Sequence, residues 1–442
     1  MLTYRTDTIL GDVPQDWDRE RLRGVLSFHS AGDWGGDSGQ VKVNAIRSTN
    51  FTESGRLDFG DVAKRFLDAA TAALLEPRKN DLLLERSGGG PEQPVGRIGF
   101  VRENLPGHAF SNFIHLLRPD PTKIEPDFLG WVLHRIQSTG IVVRLEQQTT
   151  GMRNLHFRDY LTLRFPKPPG PEQRAIADIL DAVDAAIERT RIASEKAQRL
   201  KRGLMLQLFQ VGFDGNGVAR DDGRKGQFCS TPYGRFPVDW QISDVRAEFE
   251  IATGFTLGQH RRPQMNPRKY LRVANVQREF VSLDDVSELE AAEREMEGRR
   301  LETNDLLIVE GHADPGAIGR CAIVPPDAAG MTFQNHLFRL RSLRLNPLFA
   351  MFWLNSTVCR RYWRQKCATS SGLNTINQRK LKRLPVAVPP KPEQEMIADT
   401  LQANNDLLST AELKLTRLLA LKRGLMQDLL TGKVRVAAKP KT

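Results

Sequence analysis

One stretch of sequence occurs twice in this chain. The segment "KPPGPEQRAIADIL" begins at Lys167, and "VPPKPEQEMIADTL" begins at Val388. Prolines precede the Glu in both copies, and a proline near the first position of a helix costs little because its missing N–H would have no helical partner there. The glutamates Glu172 and Glu393 favour the positive end of a helix dipole. Both stretches therefore predict the start of a helix.

Each predicted helix carries a stripe of residues at alternating steps of four and three, which is the spacing of a heptad seam. The first seam comprises Ile176, Leu180, Val183, Ile187, Thr190, Ser194, Ala197, Lys201, Leu204 and Leu208. The second comprises Ile397, Leu401, Asn404, Leu408, Ala411, Leu415, Leu418, Lys422, Leu425 and Leu429. Two matched seams in one chain favour an intramolecular coiled coil over an amphipathic helix that covers only its own domain.

Both predicted helices contain the identical hexapeptide "LKRGLM", at Leu200 to Met205 and at Leu421 to Met426. A glycine inside a helix costs roughly 1 kcal/mol relative to alanine. Its presence at Gly203 and Gly424 therefore suggests a close helix approach or a bend. The two copies then diverge, because the first continues as "LFQVGFDG" and the second as "LLTGKVRV".

The segments before the two helices also match, although less closely. "VPQDW" (Val13 to Trp17) corresponds to "FPVDW" (Phe236 to Trp240), and "NDLLLERSGGGPEQPVGRIGFV" corresponds to "NDLLIVEGHADPGAIGRCAIV". Runs such as "LLLER" and "FIHLLR" predict short strands, whereas "DFLGWVLHRI" has helical spacing. The chain therefore consists of two copies of an α+β domain, each followed by a long helix.

The order of these parts predicts the topology. A helix of about 40 residues would span ~60 Å at 1.5 Å per residue. A short, polar, Gly-rich connector follows the first helix, so the second helix must return antiparallel to it. The expected fold is two similar α+β domains separated by two long antiparallel coiled-coil helices, with a pseudo-two-fold internal repeat. The predicted segments are 1–166, 167–210, 211–233, 234–387, 388–432 and 433–442.

Composition limits the possible functions. The formal net charge is +11, and an excess of basic residues attracts polyanions such as nucleic acid. No apolar run reaches the ~18 residues of a membrane span, and aspartates interrupt the N-terminal stretch where a signal peptide would be apolar, so we expect a cytoplasmic protein. Four cysteines occur without a CxxC pair, which favours reduced thiols and argues against a metal site.

Sequence motifs for catalysis are missing from the chain. The Gly-rich "ERSGGGPEQPVG" lacks the Gly-Lys-Ser/Thr of a phosphate-binding loop. No GxGxxG follows a predicted strand, the histidines lack HExxH spacing, and no Gly-x-Ser-x-Gly elbow is present. We therefore expect no catalytic residues.

The two variable domains, each followed by a "PP-x-PEQ" helix that runs to "LKRGLM", resemble the specificity subunit of Type I restriction-modification enzymes over the whole chain. The resemblance implies that residues 1–166 and 234–387 are target recognition domains, each reading one half of a bipartite DNA site. It also implies that the helices at 167–210 and 388–432 form a spacer that docks two methyltransferase (modification) subunits, with restriction (motor-nuclease) subunits joining afterwards. S-adenosylmethionine, ATP and Mg are then expected on the partner subunits, with no cofactor in this chain.

Basic and amide side chains are the expected readers of double-stranded DNA, because Arg suits guanine and Asn or Gln suits adenine in the major groove. The candidates in the first domain are Arg47, Arg86, Arg97, Arg153 and Asn154. Those in the second are Arg261, Arg262, Arg272, Gln277, Arg278, Arg320 and Asn374, with Arg360, Arg361, Arg364 and Lys366 as candidate phosphate contacts interleaved with Tyr362 and Trp363.

A coiled-coil protein-interaction scaffold with basic heads is the alternative function. The two differ in their behaviour towards duplex DNA. A specificity subunit binds DNA in a way that weakens steeply with salt and distinguishes sequences, whereas a scaffold does neither.

Overall fold

A computed structural model describes residues 4–7, 10–89, 93–149, 152–214, 217–221, 228–312, 314, 316–367 and 374–436. The chain divides into two compact units, unit 1 with residues 1–192 and 413–442 and unit 2 with residues 193–412. Each unit therefore contains one globular domain and part of each long helix.

The strands of unit 1 are short. They are β1 (Tyr4–Asp7), β2 (Gly11–Pro14), β3 (Asp18–Arg21), β4 (Leu26–Ala31), β5 (Val41–Ile46), β6 (Ala63–Leu67), β7 (Leu82–Glu85), β8 (Ser87–Gly89), β9 (Ile98–Phe100), β10 (His108–Phe110), β11 (Ile114–Pro119), β12 (Glu146–Thr149), β13 (Met152–Leu155) and β14 (Arg164–Lys167). Its helices are α1 (Ala69–Leu75), α2 (Pro126–Ser138), α3 (Phe157–Thr162) and the first part of the long helix α4 (Gly170–Leu208).

Unit 2 repeats this arrangement. Its strands are β15 (Phe228–Thr231), β16 (Gly234–Pro237), β17 (Gln241–Asp244), β18 (Phe249–Thr253), β19 (Pro267–Leu271), β20 (Ser287–Glu290), β21 (Leu306–Val309), β22 (Gly311–His312), β23 (Cys321–Ile323), β24 (Thr332–Phe333), β25 (Leu337–Ser342), β26 (Asn374–Thr375) and β27 (Pro385–Val388). Its helices are α5 (Val245–Glu248), α6 (Glu293–Met296), α7 (Pro347–Leu354), α8 (Thr357–Cys367), α9 (Gln378–Lys382) and the first part of the second long helix α10 (Lys391–Leu430).

The sheets of the two units have the same strand order. A four-stranded antiparallel sheet runs β4-β11-β7-β9 in unit 1 and β18-β25-β21-β23 in unit 2. The three-stranded sheet β10-β5-β6 likewise corresponds to β24-β19-β20, with one parallel and one antiparallel pairing in each. The α+β internal repeat predicted from the sequence is therefore confirmed.

The apolar runs of the central strands are explained by burial on both faces. In β7, Leu82 and Leu84 pack in one core of unit 1 while Leu83 packs in another. In β21, Ile308 and Leu307 divide between two cores of unit 2 in the same way. Successive side chains of a strand point to opposite faces of the sheet. When both faces are buried, the side chains on both are apolar, and the sequence shows a continuous apolar run.

The long helices pack against each other in antiparallel order within each unit. In unit 1, Leu180 near the start of α4 shares a core with Met426 near the end of α10. In unit 2, Leu208 at the end of α4 shares a core with Leu401 near the start of α10. Every residue of the two predicted seams is buried or half-buried, which confirms the coiled-coil prediction.

The lysine of each "LKRGLM" lies in this seam, and it pairs with a carboxylate from a different segment in each unit. In unit 1, Lys422 donates to Asp184 of α4 at 2.7 Å and lies 4.6 Å from the centre of the Trp131 ring. In unit 2, Asn405 occupies the place in α10 that Asp184 has in α4, and Lys201 pairs instead with Glu279 of the globular domain. A buried ammonium needs a carboxylate, and the repeat supplies one from a different segment in each copy.

The glutamate of each "PEQ" lies at a junction of three segments. Glu172 accepts hydrogen bonds from Trp17 Nε1 at 3.3 Å and from Arg435 at 2.8 and 2.9 Å, and Arg435 also pairs with Asp16. We call this group (Trp17, Glu172, Arg435, Asp16) the unit 1 clasp. It joins the start of α4 to the segment before β3 and to the segment after α10.

Unit 2 contains an equivalent group, the unit 2 clasp, formed by Trp240, Glu393, Arg220 and Asp239. Trp240 Nε1 donates to Glu393 at 3.1 Å, and Arg220 donates to Glu393 at 2.6 Å and to Asp239 at 2.8 Å. The sequences after the two helices differ, yet both bring an arginine to the glutamate at the start of the other helix. Part of the segment predicted as a polar connector therefore packs against α10.

The glutamine of each "PEQ" closes the same turn. Gln173 donates to Pro168 O at 2.7 Å and accepts from the Glu125 amide at 2.9 Å. Gln394 donates to Pro389 O and accepts from the Asn346 amide, both at 2.9 Å. The triplet is repeated because it positions the long helix against the N-terminus of α2 or α7.

Gly203 and Gly424 lie on exposed helix positions. A Cβ added at either glycine would meet no atom of the described chain within 4 Å, beyond the helix's own backbone. The two helices of this chain therefore do not approach closely at these glycines, and the alternative expectation, a bend, stays a prediction. Packing within the described residues does not explain why a residue unfavourable to helices occurs at this position in both copies.

Asn404 and Asn405 offer a test of the seam. Asn404 is 4% exposed, and its side-chain amide atoms have no hydrogen-bond partner among the described residues. Asn405, in contrast, donates to Glu279 at 2.8 Å. We predict that Asn404→Val, which introduces the residue found at the matching position 183, stabilises the chain by about 1–3 kcal/mol because a buried unpaired amide is removed.

The matched control is Asn405→Val, which changes the same side chain one position later. It should destabilise the chain by about 1–3 kcal/mol, because a hydrogen bond to a charged group is removed. Valine and asparagine have similar helix propensities, so the opposite signs would come from the environment. Urea unfolding of the whole chain measures both, and a lower midpoint for Asn404→Val would contradict the seam described here.

Candidate nucleic-acid interface

Two of the candidate arginines in the first domain hold a loop of their own domain. Arg97 donates to Glu85 at 2.7 and 2.6 Å and to the carbonyl oxygens of Ser48 and Phe51. Arg47 donates to the backbone and carboxylate oxygens of Asp61, both at 2.9 Å. These contacts stabilise the loop between β5 and β6.

The second domain repeats both arrangements. Arg320 donates to the carbonyl oxygens of Val276 and Val273 at 2.6 and 2.9 Å. Arg272 pairs with Asp285 at 2.6 Å, as Arg47 does with Asp61. Both arginine pairs thus bond the same loop positions in the two copies, although Val309 stands in β21 where β7 has Glu85. This repetition gives the four arginines a structural role, and whether any of them also contacts DNA stays a prediction.

Most of the remaining candidates inside the domains are bonded to nearby oxygen atoms. Arg153 pairs with Glu146 at 2.8 Å, and Arg261 pairs with Glu295 at 2.8 Å. Arg278 donates to Asn355 Oδ1 and to Gly316 O, and Gln277 donates to Ala274 O. These bonds leave some donors unused, but they fix where each side chain points.

Arg86 differs from these, because its Nε atom is buried without a hydrogen-bond partner among the described residues. It lies near His115, whose pKa is lowered to about 4 by burial and then by the charge of Arg86. Asn154 is half-buried in β13, opposite Ser87 and Gln147. Asn374 belongs to β26, but its side chain lies outside the described residues.

Helix α8 carries the candidate phosphate contacts on one side and aromatic residues on the other. Arg361, Arg364 and Lys366 are exposed and Arg360 is half-buried. Tyr362 and Trp363 are buried in the core of unit 2, and the Tyr362 hydroxyl donates to Lys380 O of α9 at 2.9 Å. The aromatic side chains therefore anchor α8 and attach it to α9.

The basic surface extends beyond the residues predicted from the sequence. Arg379 of α9 and Arg383 directly after it are also exposed. We call Arg361, Arg364, Lys366, Arg379 and Arg383 the basic face. None of them forms an ion pair within the part of the chain that the structure describes.

The basic face lies in a stretch of the sequence that contains no acidic residue. No Asp or Glu occurs between Asp327 and Glu393, whereas Lys and Arg recur throughout that stretch. The matching stretch of the first domain contains Asp120, Glu125, Asp127, Glu146 and Asp159. The two domains therefore share a fold but differ in surface charge, which is the expected result if each contacts a different partner sequence.

Cys321 and Cys359 are two buried thiols in the core of unit 2. Burial raises the pKa of the Cys359 thiol to about 12 and raises that of Cys321 as well, so neither is an activated nucleophile. Among the residues described, no group of three His, Cys, Asp or Glu side chains could hold a metal ion. No helix in the same residues is long and apolar enough to cross a membrane.

Comparison with known proteins agrees with this architecture. The putative type I restriction enzyme MjaX specificity subunit of Methanocaldococcus jannaschii is 22% identical, over 97% of this chain and 96% of its own length. The type I restriction enzyme EcoKI specificity subunit of Escherichia coli K12 is 23% identical, over 80% of this chain and 74% of its own length.

Solved structures show the same fold. The S subunit of a type I restriction-modification system from M. genitalium aligns over 94% of this chain and 96% of its own, with a TM-score of 0.59 and 14% identity. A chain from a study of complex assembly and conformational transition of the type I R-M system aligns over 96% of this chain and 99% of its own, with a TM-score of 0.52 and 14% identity.

The family model for the type I restriction modification DNA specificity domain matches twice, over residues 39–195 and 237–418. Each match covers most of one globular domain and continues into the long helix that follows it. Together they span well over half of the chain, which therefore belongs to the family of type I restriction-modification specificity subunits.

Proposed function

We propose that this chain reads a bipartite DNA target for a type I restriction-modification complex, with one half-site for each globular domain. The observation that carries the proposal is the contrast between the two domains. Their strand orders, clasps and loop-holding arginines are the same, while their exposed charged side chains differ. A shared scaffold with divergent surfaces suits two readers of unrelated sequences.

The basic face supports the choice of nucleic acid over protein as the ligand of the second domain. Five exposed guanidinium or ammonium groups on α8, on α9 and directly after it lie in a stretch without any carboxylate. Phosphate contacts of this kind position a protein on DNA without reading sequence. Base readout would then come from loops, since the arginines predicted as readers largely bond to their own domain.

Catalysis is assigned to partner subunits, which would carry S-adenosylmethionine, ATP and Mg. The two long helices are the proposed docking site for two methyltransferase subunits, with restriction subunits joining afterwards. Gly203 and Gly424 support this assignment, because their exposed positions allow another backbone to approach closely and packing within the described chain gives them no other role. Exposed Leu200 and Leu421 lie one turn before them.

The proposal predicts sequence-specific, salt-sensitive DNA binding by the chain assembled with its methyltransferase subunits. Fluorescence anisotropy with duplexes selected from a random pool measures this. Arg361→Ala with Arg364→Ala should weaken binding to all sequences alike and reduce the slope of log K against log salt by about one for each phosphate that is no longer neutralised.

Arg246→Ala is the matched control, because it removes an exposed arginine that lies on α5, outside the basic face. It should leave affinity and salt slope unchanged. The alternative, a coiled-coil scaffold with basic heads, predicts no preference among sequences for any variant. The absence of selectivity in the unmodified complex would therefore reject the DNA-reading function.

Substitution of the two exposed glycines tests whether methyltransferase subunits dock on the long helices. Gly203→Leu with Gly424→Leu should raise the unfolding temperature, because leucine is favoured over glycine in a helix by about 1 kcal/mol. It should also reduce assembly with methyltransferase subunits by at least roughly tenfold, since each new side chain would block a backbone approach, at a cost of about 1–3 kcal/mol typical of overpacking.

The control variant is Ala70→Leu, which adds a similar side chain at an exposed position of α1, outside the two long helices. It should assemble normally. Size-exclusion chromatography with light scattering gives the subunit ratio for each variant. Normal assembly of the double glycine variant would contradict docking at these positions.

A further inference from the structure

The loop before β19 is fixed by one carboxylate. Glu290 of β20 accepts hydrogen bonds from the backbone amides of Gln264, Met265 and Asn266 at 2.8, 3.1 and 2.8 Å. The Asn266 side chain donates to the same carboxylate at 3.2 Å. Several amides bonded to a single carboxylate restrict the backbone of the loop, which gives its tip a defined conformation.

The inner side of this loop is also attached to the domain. Arg261 donates to Glu290 O at 3.0 Å and to Glu295 at 2.8 Å, and its guanidinium lies 4.7 Å from the centre of the Phe255 ring. Arg261 therefore belongs to the support of the loop, and the side chains that follow it point outward. We call residues 259–266 the 259–266 loop.

The outward side chains form an unusual set. Met265 is 86% exposed, and Arg262 and Gln264 beside it are exposed as well. Met265 therefore exposes an apolar side chain to water, and the hydrogen bonds to Glu290 restrict the backbone that carries it. Such an arrangement suits binding to a partner. Apolar side chains of DNA-binding proteins contact the methyl group of thymine or insert between base steps, and methionine is among those that insert. Arginine and glutamine supply hydrogen bonds to base edges.

The corresponding loop of the first domain, residues 33–40, is fixed by the opposite charge. Arg65 of β6 donates to the carbonyl oxygens of Trp34 and Gly35 at 3.2 and 3.1 Å, pairs with Asp37, and lies 4.9 Å from the centre of the Trp34 ring. The same place in the two domains thus carries a restrained loop with entirely different side chains. This is the behaviour expected of an element that determines sequence preference.

We propose that the 259–266 loop reads bases in the half-site of the second domain, with Met265 making an apolar contact and Gln264 and Arg262 donating hydrogen bonds to base edges. The inference rests on the DNA-reading function proposed above. Glu290 acts as a positioning residue, because its carboxylate bonds to the amides of the loop and makes no contact with bases in this proposal.

The experiment compares the complete complex carrying Met265→Ala, Glu290→Gln or no change, using sequences selected from pools in which both half-sites are randomised. Met265→Ala should relax the preference at one or two adjacent positions of one half-site by roughly tenfold, the size of a single unfavourable base pair. Glu290→Gln should relax the same positions. The other half-site and the salt dependence should not change.

Leu343→Ala serves as the matched control, because Leu343 is 64% exposed in the same domain but lies after β25, away from the loop. It should leave every position unchanged. The unfolding temperature of each variant checks that it remains folded. Met265→Ala should leave the unfolding temperature unchanged, because the Met265 side chain lies outside the core.

The outcomes separate the inference from the function on which it rests. If the unmodified complex selects no sequence, the proposed function and the inference fail together. If the unmodified complex is selective and Met265→Ala selects the same sequences, only the inference fails. A uniform decrease of affinity without a change of preference, or an equal effect of Leu343→Ala, would also overturn it.

Discussion

At the start of each long helix, one carboxylate joins that helix to its globular domain and to the chain that follows the other helix. Glu172 and Glu393 are buried, and a buried carboxylate is strongly unfavourable unless it is paired. Each accepts a hydrogen bond from a tryptophan of its own globular domain and pairs with an arginine from the chain that follows the other helix. Pairing therefore requires the end of one helix to meet the start of the other within each unit, which is possible only if the helices run antiparallel.

Much of this organisation could be predicted from the sequence, because the repeat exposes it. The doubled "PEQ" marks the starts of the helices, and the four-three spacing marks the buried seam. The arginine of the clasp could not be found in this way, since Arg220 and Arg435 lie at different distances from the ends of their helices. The partner of the seam lysine could not be predicted from the repeat either, because it is Asp184 of the helix in one unit and Glu279 of the domain in the other.

The candidate interface was harder to predict than the fold, for a physical reason. Arginine serves both to bind DNA and to bond loop carbonyls, and composition does not distinguish the two uses. Arg97 with Arg320, and Arg47 with Arg272, occur at matching places with matching partners, so the repeat itself indicates a structural role. Residues that differ between the copies are better candidates for contact with DNA. This criterion favours the 259–266 loop as a reader of bases and the basic face as a phosphate contact.

We propose that the two domains read DNA independently of each other. The most direct measurement replaces residues 241–388, from β17 to β27, with the corresponding segment of a family member that has a different target, while keeping Trp240, Arg220 and Glu393. Sequencing of the bases methylated by the resulting complex then reports its target. We expect one half of the bipartite site to change to that of the donor and the other half to be retained. A change in both halves, or in neither, would contradict the proposal.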